Sequence, residues 1–311
     1  MAKILITESV HPIGPELLTA AGHTVVYADR DMDVIRREIV DADAVLVRII
    51  ELPSSLLATA KNLKIVSKHG VGYDNIDLDY CKSHGVAVTI TPNANSLSVA
   101  EHAFTLMLTL AKNIIPVSNE YRTVGFAAKN HAPGIEMTGK TLGLIGMGRI
   151  GKHVLHMCKD GLDMHVIVYD PYISEVPEGV EKVDDLSELL RRADVVTLHC
   201  LLTDETRKLI DRERLALMKP TALLINCARG PIVDEAALIE ALENGRLAGA
   251  GLDVTDPEPV APDSPLFKLP NVIVTPHYAP TTVESATRVS KIAAENINAV
   301  LAGQEPVGRI V

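Results

Sequence analysis

Short apolar segments alternate with longer amphipathic segments along most of the chain. The apolar segments have the length and the Val, Ile and Leu content of buried strands, and the amphipathic ones have helical spacing. The predicted strands are Ile4–Thr7, Val25–Tyr27, Ala44–Val47, Ile65–Ser67, Val86–Val88, Leu142–Ile145, His165–Tyr169, Val195–Leu198, Ala222–Asn226, Gly249–Leu252 and Val272–Thr275. The predicted helices are Pro12–Ala21, Asp31–Val40, Ser54–Ala60, Ile76–Ser83, Val99–Ala111, Val117–Gly125, Ile150–Lys159, Leu186–Arg192, Glu235–Glu243 and Val283–Leu301. This βαβα order predicts parallel sheets with helices on both faces.

The alternation is interrupted once, at 91–98, where Pro, Asn and Ser residues form a connector. A long helix and a loop follow, and a second βαβ series begins at Thr141. The 311 residues exceed one typical domain of roughly 100–200 residues. The pattern therefore predicts an α/β protein with two doubly wound parallel-sheet domains of the Rossmann or flavodoxin type. We assign 1–97 plus 282–311 to one domain and 98–281 to the other, and expect the last helix to rejoin the first domain.

Composition and charge limit the classes of partner. The chain is 47% hydrophobic and carries 30 Lys+Arg against 40 Asp+Glu, a net charge of −10. Because polyanions are repelled by such a surface, we expect no nucleic acid and no membrane partner. The four cysteines form no CxxC pair, and no apolar stretch approaches the roughly 20 residues of a membrane span. We expect a cytoplasmic protein, and a local cluster of cations could still bind a small anion.

A glycine-rich turn follows the predicted strand Leu142–Ile145 and opens a predicted helix. It contains G-x-G-x-x-G at Gly146, Gly148 and Gly151. Glycine permits the tight turn, the approach of a pyrophosphate to the backbone, and close packing of helix on strand. Asp170 follows the next strand, where a carboxylate binds the ribose hydroxyls and repels a 2′-phosphate. The pattern predicts an NAD site, although another adenine-bearing ligand, such as a methyl donor, would fit the same turn.

Three polar residues follow predicted strands of the second domain or the loops beyond them. They are Arg229, Glu258 and His277. Oxidation of a 2-hydroxy acid needs a base for the hydroxyl proton, and histidine titrates nearest to neutral pH. A carboxylate beside that histidine fixes its tautomer, and arginine binds a substrate carboxylate in a bidentate manner. Each residue taken alone also fits an ordinary surface position: a capping histidine, an ion-paired arginine and a solvated loop acid.

Six stretches in this order and spacing resemble the D-isomer-specific 2-hydroxyacid dehydrogenases. They are 68–77 (KHGVGYDNID), 91–101 (TPNANSLSVAE), the Gly146 turn, 227–230 (CARG), 253–259 (DVTDPEP) and 275–277 (TPH). The resemblance covers essentially the whole chain. It implies two doubly wound domains with the active-site cleft between them, an N-terminal domain completed by the last helix, and NAD bound by 98–281.

The resemblance also implies roles for individual residues. Arg229, Glu258 and His277 would be the catalytic residues, and His277 would be the general acid/base. The N–H groups of Val71 and Gly72 would bind the substrate carboxylate with Arg229. The cofactor would be bound by the glycines Gly146, Gly148 and Gly151 and by Arg149, Ile150, Asp170, Cys200, Leu201, Cys227, Ala228 and Asp253. A homodimer would form through the long helix near Val99–Ala111 and the segment after it.

Within the family, the stretch at 93–98 and Arg48 look most like short D-3-phosphoglycerate dehydrogenases without the C-terminal regulatory domain. Lys68 and His69 replace their usual Arg-Ala, which leaves the substrate open. Arg48, Lys68 and His69 would either bind a second anionic group of the substrate or be ordinary solvent-facing cations. The substrate would be 3-phosphoglycerate or a related small anionic 2-hydroxy acid.

Other functions remain as alternatives. One is a hydroxypyruvate or glyoxylate reductase of the same family, and one of a different class is an NAD(H)-sensing, corepressor-like binding protein. Glu258 disfavours a formate dehydrogenase, which pairs the histidine with glutamine. His153 and His156 have no evident third ligand, so we expect no metal site.

Overall fold

The computed structural model describes residues 1–311, which form two compact units. Unit 1 comprises Met1–Asn95 and Pro280–Val311, and unit 2 comprises Ser96–Ala279. The boundaries expected from the sequence lie at 97 and 282, whereas the first segment of unit 1 ends at Asn95 and its second begins at Pro280.

Unit 1 contains a five-stranded, all-parallel sheet. Its strands, numbered in chain order, are β1 (Lys3–Ile6), β2 (Thr24–Tyr27), β3 (Ala44–Val47), β4 (Ile65–Lys68) and β5 (Ala87–Thr89). The helices between them are α1 (Ile13–Ala20), α2 (Met32–Glu38), α3 (Ser54–Leu57) and α4 (Leu78–Ser83). The strand order β2-β1-β3-β4-β5 is that of flavodoxin-like folds.

Unit 2 contains a seven-stranded, all-parallel sheet. Its helices are α5 (Ser96–Ala111), α6 (Ile114–Val124), α7 (Arg149–Leu162), α8 (Leu186–Arg192), α9 (Arg212–Leu217) and α10 (Glu235–Glu243). Its strands are β6 (Thr141–Ile145), β7 (His165–Tyr169), β8 (Val180–Lys182), β9 (Val195–Leu198), β10 (Leu223–Asn226), β11 (Gly249–Leu252) and β12 (Val272–Val274). The order β12-β11-β10-β9-β6-β7-β8 is the doubly wound Rossmann order with one added strand. The fold class expected from the sequence is confirmed.

The last helix, α11 (Val283–Leu301), packs within unit 1 against α1 and β4. The hydroxyl of Ser67 donates to the carbonyl of Ala293 at 3.0 Å. The hydroxyl of Ser290 donates to the carbonyl of His11 at 2.7 Å. The side chain of Thr282 accepts from the N–H of Ser285 and caps the start of the helix.

Alternating side chains of the unit 1 strands supply two separate apolar layers. Ile4 and Ile6 lie in the layer that contains residues of α11, whereas Leu5 lies in the layer on the other face. Successive strand residues point to opposite faces, and parallel strands covered on both sides read as continuous apolar runs. This is why the sequence predicts these strands well.

The sequence misses two short elements of unit 2. Strand β8 has the sequence Val-Glu-Lys and lies at the sheet edge, so it has no apolar pattern. Helix α9 has six residues and begins after the N-cap Asp211, and six residues are too few for an amphipathic period to stand out. Helix α5 begins at Ser96, inside the expected connector. The sequence predicts a connector at this point because serine favours turns and caps over helix interiors.

The apolar face of α5 forms part of the unit 2 core. Its residues Ala100, Ala103 and Met107 are buried, and the helix packs against α7 and the sheet. The dimer interface implied by the resemblance therefore does not use this face. The exposed apolar side chains follow in α6 and the next turn: Ile114, Ile115, Tyr121, Val124 and Phe126.

Candidate active site

The candidate site residues of unit 2 lie at one edge of its sheet. All strands of this sheet are parallel, so their carboxyl ends share that edge. The order of strands reverses between β6 and β9, and ligands of open α/β sheets bind outside the carboxyl ends at such a reversal. The glycine turn follows β6, Asp170 follows β7, Cys200 lies beyond β9, Arg229 beyond β10, Asp253 after β11 and His277 beyond β12.

The turn after β6 has the geometry that a dinucleotide requires. Gly146 has a φ of +89°, and a Cβ atom there would lie 2.8 Å from the backbone N of Cys200. A Cβ atom at Gly151 would lie 2.3 Å from the carbonyl oxygen of Gly146. At Gly148, which precedes helix α7, an added Cβ atom would meet nothing within 4 Å. The turn thus leaves open space at a helix N-terminus, where backbone N–H groups and the helix dipole suit a pyrophosphate.

Asp170 is half-buried and its carboxylate accepts two backbone hydrogen bonds. One comes from Met147 in the glycine turn at 2.9 Å, and the other from Tyr172 at 3.0 Å. The carboxylate therefore links the end of β7 to the turn after β6. Arg149 and Ile150, at the start of α7, are exposed and half-buried respectively.

The side chain of Asn226 shapes the turn that carries Arg229. Its amide Nδ2 donates to the carbonyl of Arg229 at 2.9 Å, and its Oδ1 accepts from the N–H of Ala228 at 3.0 Å. Asn226 is 1% exposed, so these bonds also satisfy a buried polar group. Arg229 is half-buried, and one guanidinium nitrogen donates to the carbonyl of Ala228 at 2.8 Å.

Gly230 permits close contact between the turn after β10 and the loop after β11. A Cβ atom at Gly230 would lie 1.9 Å from the carbonyl oxygen of Thr255. The Thr255 hydroxyl in turn donates to the carbonyl of Pro257 at 2.9 Å, next to Glu258. Because Gly230 has no side chain, the segment that carries Glu258 can lie beside the segment that carries Arg229.

His277 and Glu258 are in direct contact. Nδ1 of His277 lies 2.7 Å from Oε1 of Glu258, and the two side chains are 30% and 34% exposed. His277 has a φ of +53°, a conformation that costs a non-glycine residue about 1–3 kcal/mol. Its backbone N–H donates to the carbonyl oxygens of Asp253 at 2.8 Å and Thr275 at 3.0 Å, which hold the residue in this conformation.

Asp253 is 1% exposed, and its carboxylate binds the residues around His277. It accepts the N–H of Tyr278 at 2.7 Å, the N–H of Ala279 at 2.9 Å and the Thr275 hydroxyl at 2.6 Å. Burial alone would raise the pKa of Asp253. Hydrogen bonds from His102, Thr275 and the two N–H groups outweigh burial and bring this pKa below its usual value. A contact of Asp253 with the nicotinamide carboxamide stays a prediction.

The predicted cofactor groove contains two cysteines and a buried histidine. Burial raises the pKa of the Cys200 thiol to about 11 and raises that of Cys227 strongly, so both remain protonated near neutral pH. Ala228 is half-buried and Leu201 is 63% exposed. His199 precedes Cys200, and burial lowers its pKa to about 3. Its Nε2 lies 2.8 Å from the Thr197 hydroxyl, and its Nδ1 is buried without a hydrogen-bond partner.

Arg48 and Lys68 lie at the carboxyl ends of β3 and β4 in unit 1. A guanidinium nitrogen of Arg48 donates to the carbonyl of Ser9 at 2.9 Å. Lys68 is 7% exposed, and its ammonium donates to Oδ1 of Asn75 at 2.5 Å and to the carbonyl of Arg48. Lys68 is therefore a buried side chain bonded inside the unit, and the alternative of an ordinary solvent-facing cation is wrong for it.

His69 follows Lys68 and carries no charge near neutral pH. Burial, followed by the Arg48 and Lys68 cations, lowers its pKa to about 3. Its Nε2 is buried without a hydrogen-bond partner. Val71 and Gly72, two and three residues further on, are half-buried.

Sequence reasoning did not assign roles to three residues that organise this site. Asn226 shapes the Arg229 turn, and His102 and Thr275 bind Asp253. Asn226 could have been identified, because asparagine at a strand end commonly closes a turn through its side chain. His102 lies far from Asp253 in sequence, and nothing in the pattern of α5 indicates the contact.

The structure contains neither a helix with the length and apolar content needed to cross a membrane nor a group of three metal-ligating side chains. His153 and His156 are both exposed, and His156 lies 2.8 Å from Asp160.

Residues 104–279 match the family model described as D-isomer specific 2-hydroxyacid dehydrogenase, NAD binding domain. The D-3-phosphoglycerate dehydrogenase of Methanocaldococcus jannaschii is 43% identical over 308 residues, which cover 98% of this chain. The chain spans 58% of the length of that relative.

Two further relatives match over nearly their whole length. The glyoxylate reductase of Thermofilum pendens is 38% identical over 319 residues, covering 98% of this chain and 93% of that protein. The crystal structure of D-lactate dehydrogenase from Aquifex aeolicus, complexed with NAD and lactic acid, is 33% identical, with a TM-score of 0.87 and 96% of each chain covered.

Proposed function

Because the chain belongs to the D-isomer specific 2-hydroxyacid dehydrogenase family, we propose that it interconverts a small D-2-hydroxy acid and the corresponding 2-keto acid. Residues 104–279 form the NAD binding domain of this family. The observation that carries the proposal is the 2.7 Å contact between His277 and Glu258, at the sheet edge where the glycine turn and Arg229 also lie.

His277 acts as the general acid/base. A carboxylate only accepts hydrogen bonds, so the contact with Glu258 fixes the proton on Nδ1 of His277. Nε2 then exchanges a proton with the substrate. In oxidation it takes the proton of the 2-hydroxyl, and in reduction it returns a proton to the carbonyl oxygen. The Glu258 carboxylate stabilises the imidazolium that exists between these steps.

Arg229 binds the substrate carboxylate. Its planar guanidinium suits two parallel hydrogen bonds to a carboxylate, which orient the 2-carbon as well as bind the acid. The N–H groups of Val71 and Gly72 act on the same carboxylate. Gly70 and Gly72 in the same turn permit close approach of an anion to the backbone, which supports this role.

NAD binds along the carboxyl edge of the unit 2 sheet. Gly148, Arg149 and Ile150 would bind the pyrophosphate, and Asp170 would bind the adenosine ribose. Cys200, Leu201, Cys227, Ala228 and Asp253 line the rest of the groove. Bound NAD supplies the hydride acceptor for oxidation, and NADH the donor for reduction.

The substrate is a small anionic 2-hydroxy acid, with 3-phosphoglycerate as the first candidate and hydroxypyruvate or glyoxylate as the alternative 2-keto acids. One relative named above is a D-3-phosphoglycerate dehydrogenase, and another is a glyoxylate reductase. Arg48 is the residue we propose for a second anionic group. His69, being neutral, can offer that group a hydrogen bond and no positive charge.

The test is NADH oxidation with five 2-keto acids: 3-phosphohydroxypyruvate, hydroxypyruvate, glyoxylate, pyruvate and sulfopyruvate. We expect turnover with at least one of them. His277→Ala should lower that turnover by about 10²–10⁴-fold, the usual contribution of a general acid/base. NADH affinity, measured by fluorescence titration, should change little, because the variant leaves the glycine turn intact.

Binding of NADH without turnover of any of these acids would favour the alternative of an NAD(H)-sensing protein. A small effect of His277→Ala on a turning-over enzyme would reject the proposed proton carrier. These two results distinguish failure of the activity from failure of the residue assignment.

We further propose a cytoplasmic homodimer. Of the exposed apolar residues of α6 and the turn after it, Ile114, Tyr121 and Phe126 line a pocket of about 440 Å³ together with Val117 and Ala128. This surface is the part of the implied interface that the unit 2 core does not use. Light scattering should give the mass of two chains, and Tyr121→Glu should shift the protein toward the monomer.

A further inference from the structure

We propose that His102 positions the catalytic histidine, acting through Thr275 and Asp253. The inference rests on the proposed function of His277. His102 lies on α5, and its side chain is 17% exposed. Its Nε2 lies 3.0 Å from Oγ1 of Thr275 and 3.4 Å from Oδ1 of Asp253.

The direction of these hydrogen bonds follows from the atoms involved. A threonine hydroxyl has one hydrogen, and the 2.6 Å bond from Thr275 to the Asp253 carboxylate uses it. The oxygen of Thr275 is therefore the acceptor of the bond from His102. His102 must carry its proton on Nε2, and the chain of donors runs from His102 to Thr275 to Asp253.

The same carboxylate holds the backbone directly after the catalytic histidine. Its two oxygens accept the N–H groups of Tyr278 at 2.7 Å and Ala279 at 2.9 Å. The carbonyl of Asp253 accepts the N–H of His277 at 2.8 Å. Asp253 thereby binds three consecutive backbone N–H groups, the first of which belongs to a residue with a φ of +53°.

Helix α5 provides a fixed base for His102. The neighbouring residues Ala103, Leu106 and Met107 are buried in the unit 2 core. The ring of His102 also contacts the ring of Tyr278 edge to face, with centroids 6.2 Å apart. His102 thus contacts the turn through both the carboxylate and an aromatic ring.

Loss of the His102 donor should loosen the turn. Without His102, the Thr275 oxygen loses its donor and the Nε2–H dipole no longer lies 3.4 Å from the buried Asp253 carboxylate. The carboxylate is then less stabilised, and the segment shifts toward other donors. Displacement of the backbone at 277–279 would carry the His277 ring away from Glu258. Misplacement of a catalytic group by about 1 Å can cost about 10²-fold in rate.

The experiment compares His102→Leu with His102→Gln. Glutamine retains an N–H donor, whereas leucine has none. The first readout is the proton NMR resonance of the His277 Nδ1–H, assigned by its loss in His277→Ala. We expect this resonance to weaken and broaden in His102→Leu and to persist in His102→Gln.

The second readout is steady-state kinetics with the best 2-keto acid. His102→Leu should lower kcat by about 10- to 100-fold, with a smaller change in KM for NADH. His102→Gln should retain most of kcat. Thr275→Val, which removes the intermediate hydroxyl, should reproduce the leucine variant, and the double variant should cost little more than either single one.

Each outcome decides a separate point. An unchanged Nδ1–H resonance in His102→Leu, or equal losses of kcat in the leucine and glutamine variants, would overturn the positioning role. Absence of turnover in the unaltered protein would instead reject the proposed function. The positioning role could still be tested in that case, because the NMR comparison does not depend on activity.

Discussion

Nδ1 of His277 lies 2.7 Å from Oε1 of Glu258, across 19 residues of chain. Glu258 lies in the loop after β11, and His277 lies after β12. These two strands are neighbours at one side of the unit 2 sheet, where β12 is the outermost strand. The parallel register of these two strands brings the residues to one edge. Two side chains that we propose as acid/base partners are thus positioned by backbone pairing.

Glu258→Gln tests the charge of this pair. Glutamine can still accept a hydrogen bond from Nδ1 and so preserves the tautomer, but it does not stabilise the imidazolium. We expect kcat for 2-keto acid reduction to fall by about 10²-fold, within the usual contribution of acid/base catalysis. Glu258→Ala should fall further because the ring also loses its orientation. Equal activity of the glutamine variant and the unaltered protein would contradict the role of the charge.

Asp170→Asn tests the choice of cofactor. The amide oxygen of asparagine can still accept the N–H of Met147, so the glycine turn keeps its support. Removal of the negative charge should shift the ratio of kcat/KM values toward NADPH by about tenfold, or ~1.4 kcal/mol. Asp170→Ala should additionally weaken binding of both cofactors. A ratio that does not change in the asparagine variant would refute the assignment of Asp170.

Gly230→Ala tests the close contact between the two site loops. The added Cβ atom would lie 1.9 Å from the carbonyl of Thr255, so the backbone must move. We expect a loss of about 3 kcal/mol or more in the free energy of unfolding, at or above the usual cost of overpacking. Gly161→Ala is the matched control, because Gly161 is an exposed residue of α7 and its added Cβ atom would meet nothing within 4 Å. That control should stabilise the protein by about 0.5–1 kcal/mol. Similar melting temperatures of the two variants would contradict the contact.

The low pKa of buried His199 predicts that the folded protein loses stability in acid. Burial lowers its pKa from 6.5 to about 3, so between these values the unfolded chain binds a proton that the folded chain does not. Its contribution to stability is complete above pH 6.5 and falls as the pH drops, by up to about 1.4 kcal/mol per pH unit. His199→Gln retains a side chain that can bond Thr197 and removes this titration. The melting temperature of the variant should therefore fall less between pH 7 and pH 5 than that of the unaltered protein, and equal falls would exclude His199 as a cause.

The sequence predicts the sheets of this protein well because buried parallel strands have a strong apolar pattern. Strands β3, β7, β9 and β11 begin and end where the pattern places them. The glycine turn could also be predicted, since its three glycines each have a steric reason. The missed strand β8 shows the limit: at a sheet edge, three residues without an apolar pattern still pair through their backbone.

The sequence indicates which residues form the candidate site, and it does not indicate the contacts that hold those residues in place. Arg229, Glu258 and His277 follow from the chemistry of a 2-hydroxy acid. The role of Asn226 in the Arg229 turn and the buried position of Lys68 depend on contacts between segments distant in sequence or on turn geometry. Whether a lysine after a strand faces solvent or an internal carbonyl is decided by those contacts, which composition and periodicity do not report.

The return of α11 to unit 1 sets an order for folding during synthesis. The strands of unit 1 are translated first, and the apolar layer that contains Ile4 and Ile65 is completed by Ala293, Ala294 and Ile297. Residues 96–279 form one continuous stretch and emerge before that helix, at roughly 5–20 residues per second. The part of this face that α11 covers therefore stays open on the ribosome while the inserted unit acquires its structure, and its apolar side chains favour aggregation during that interval.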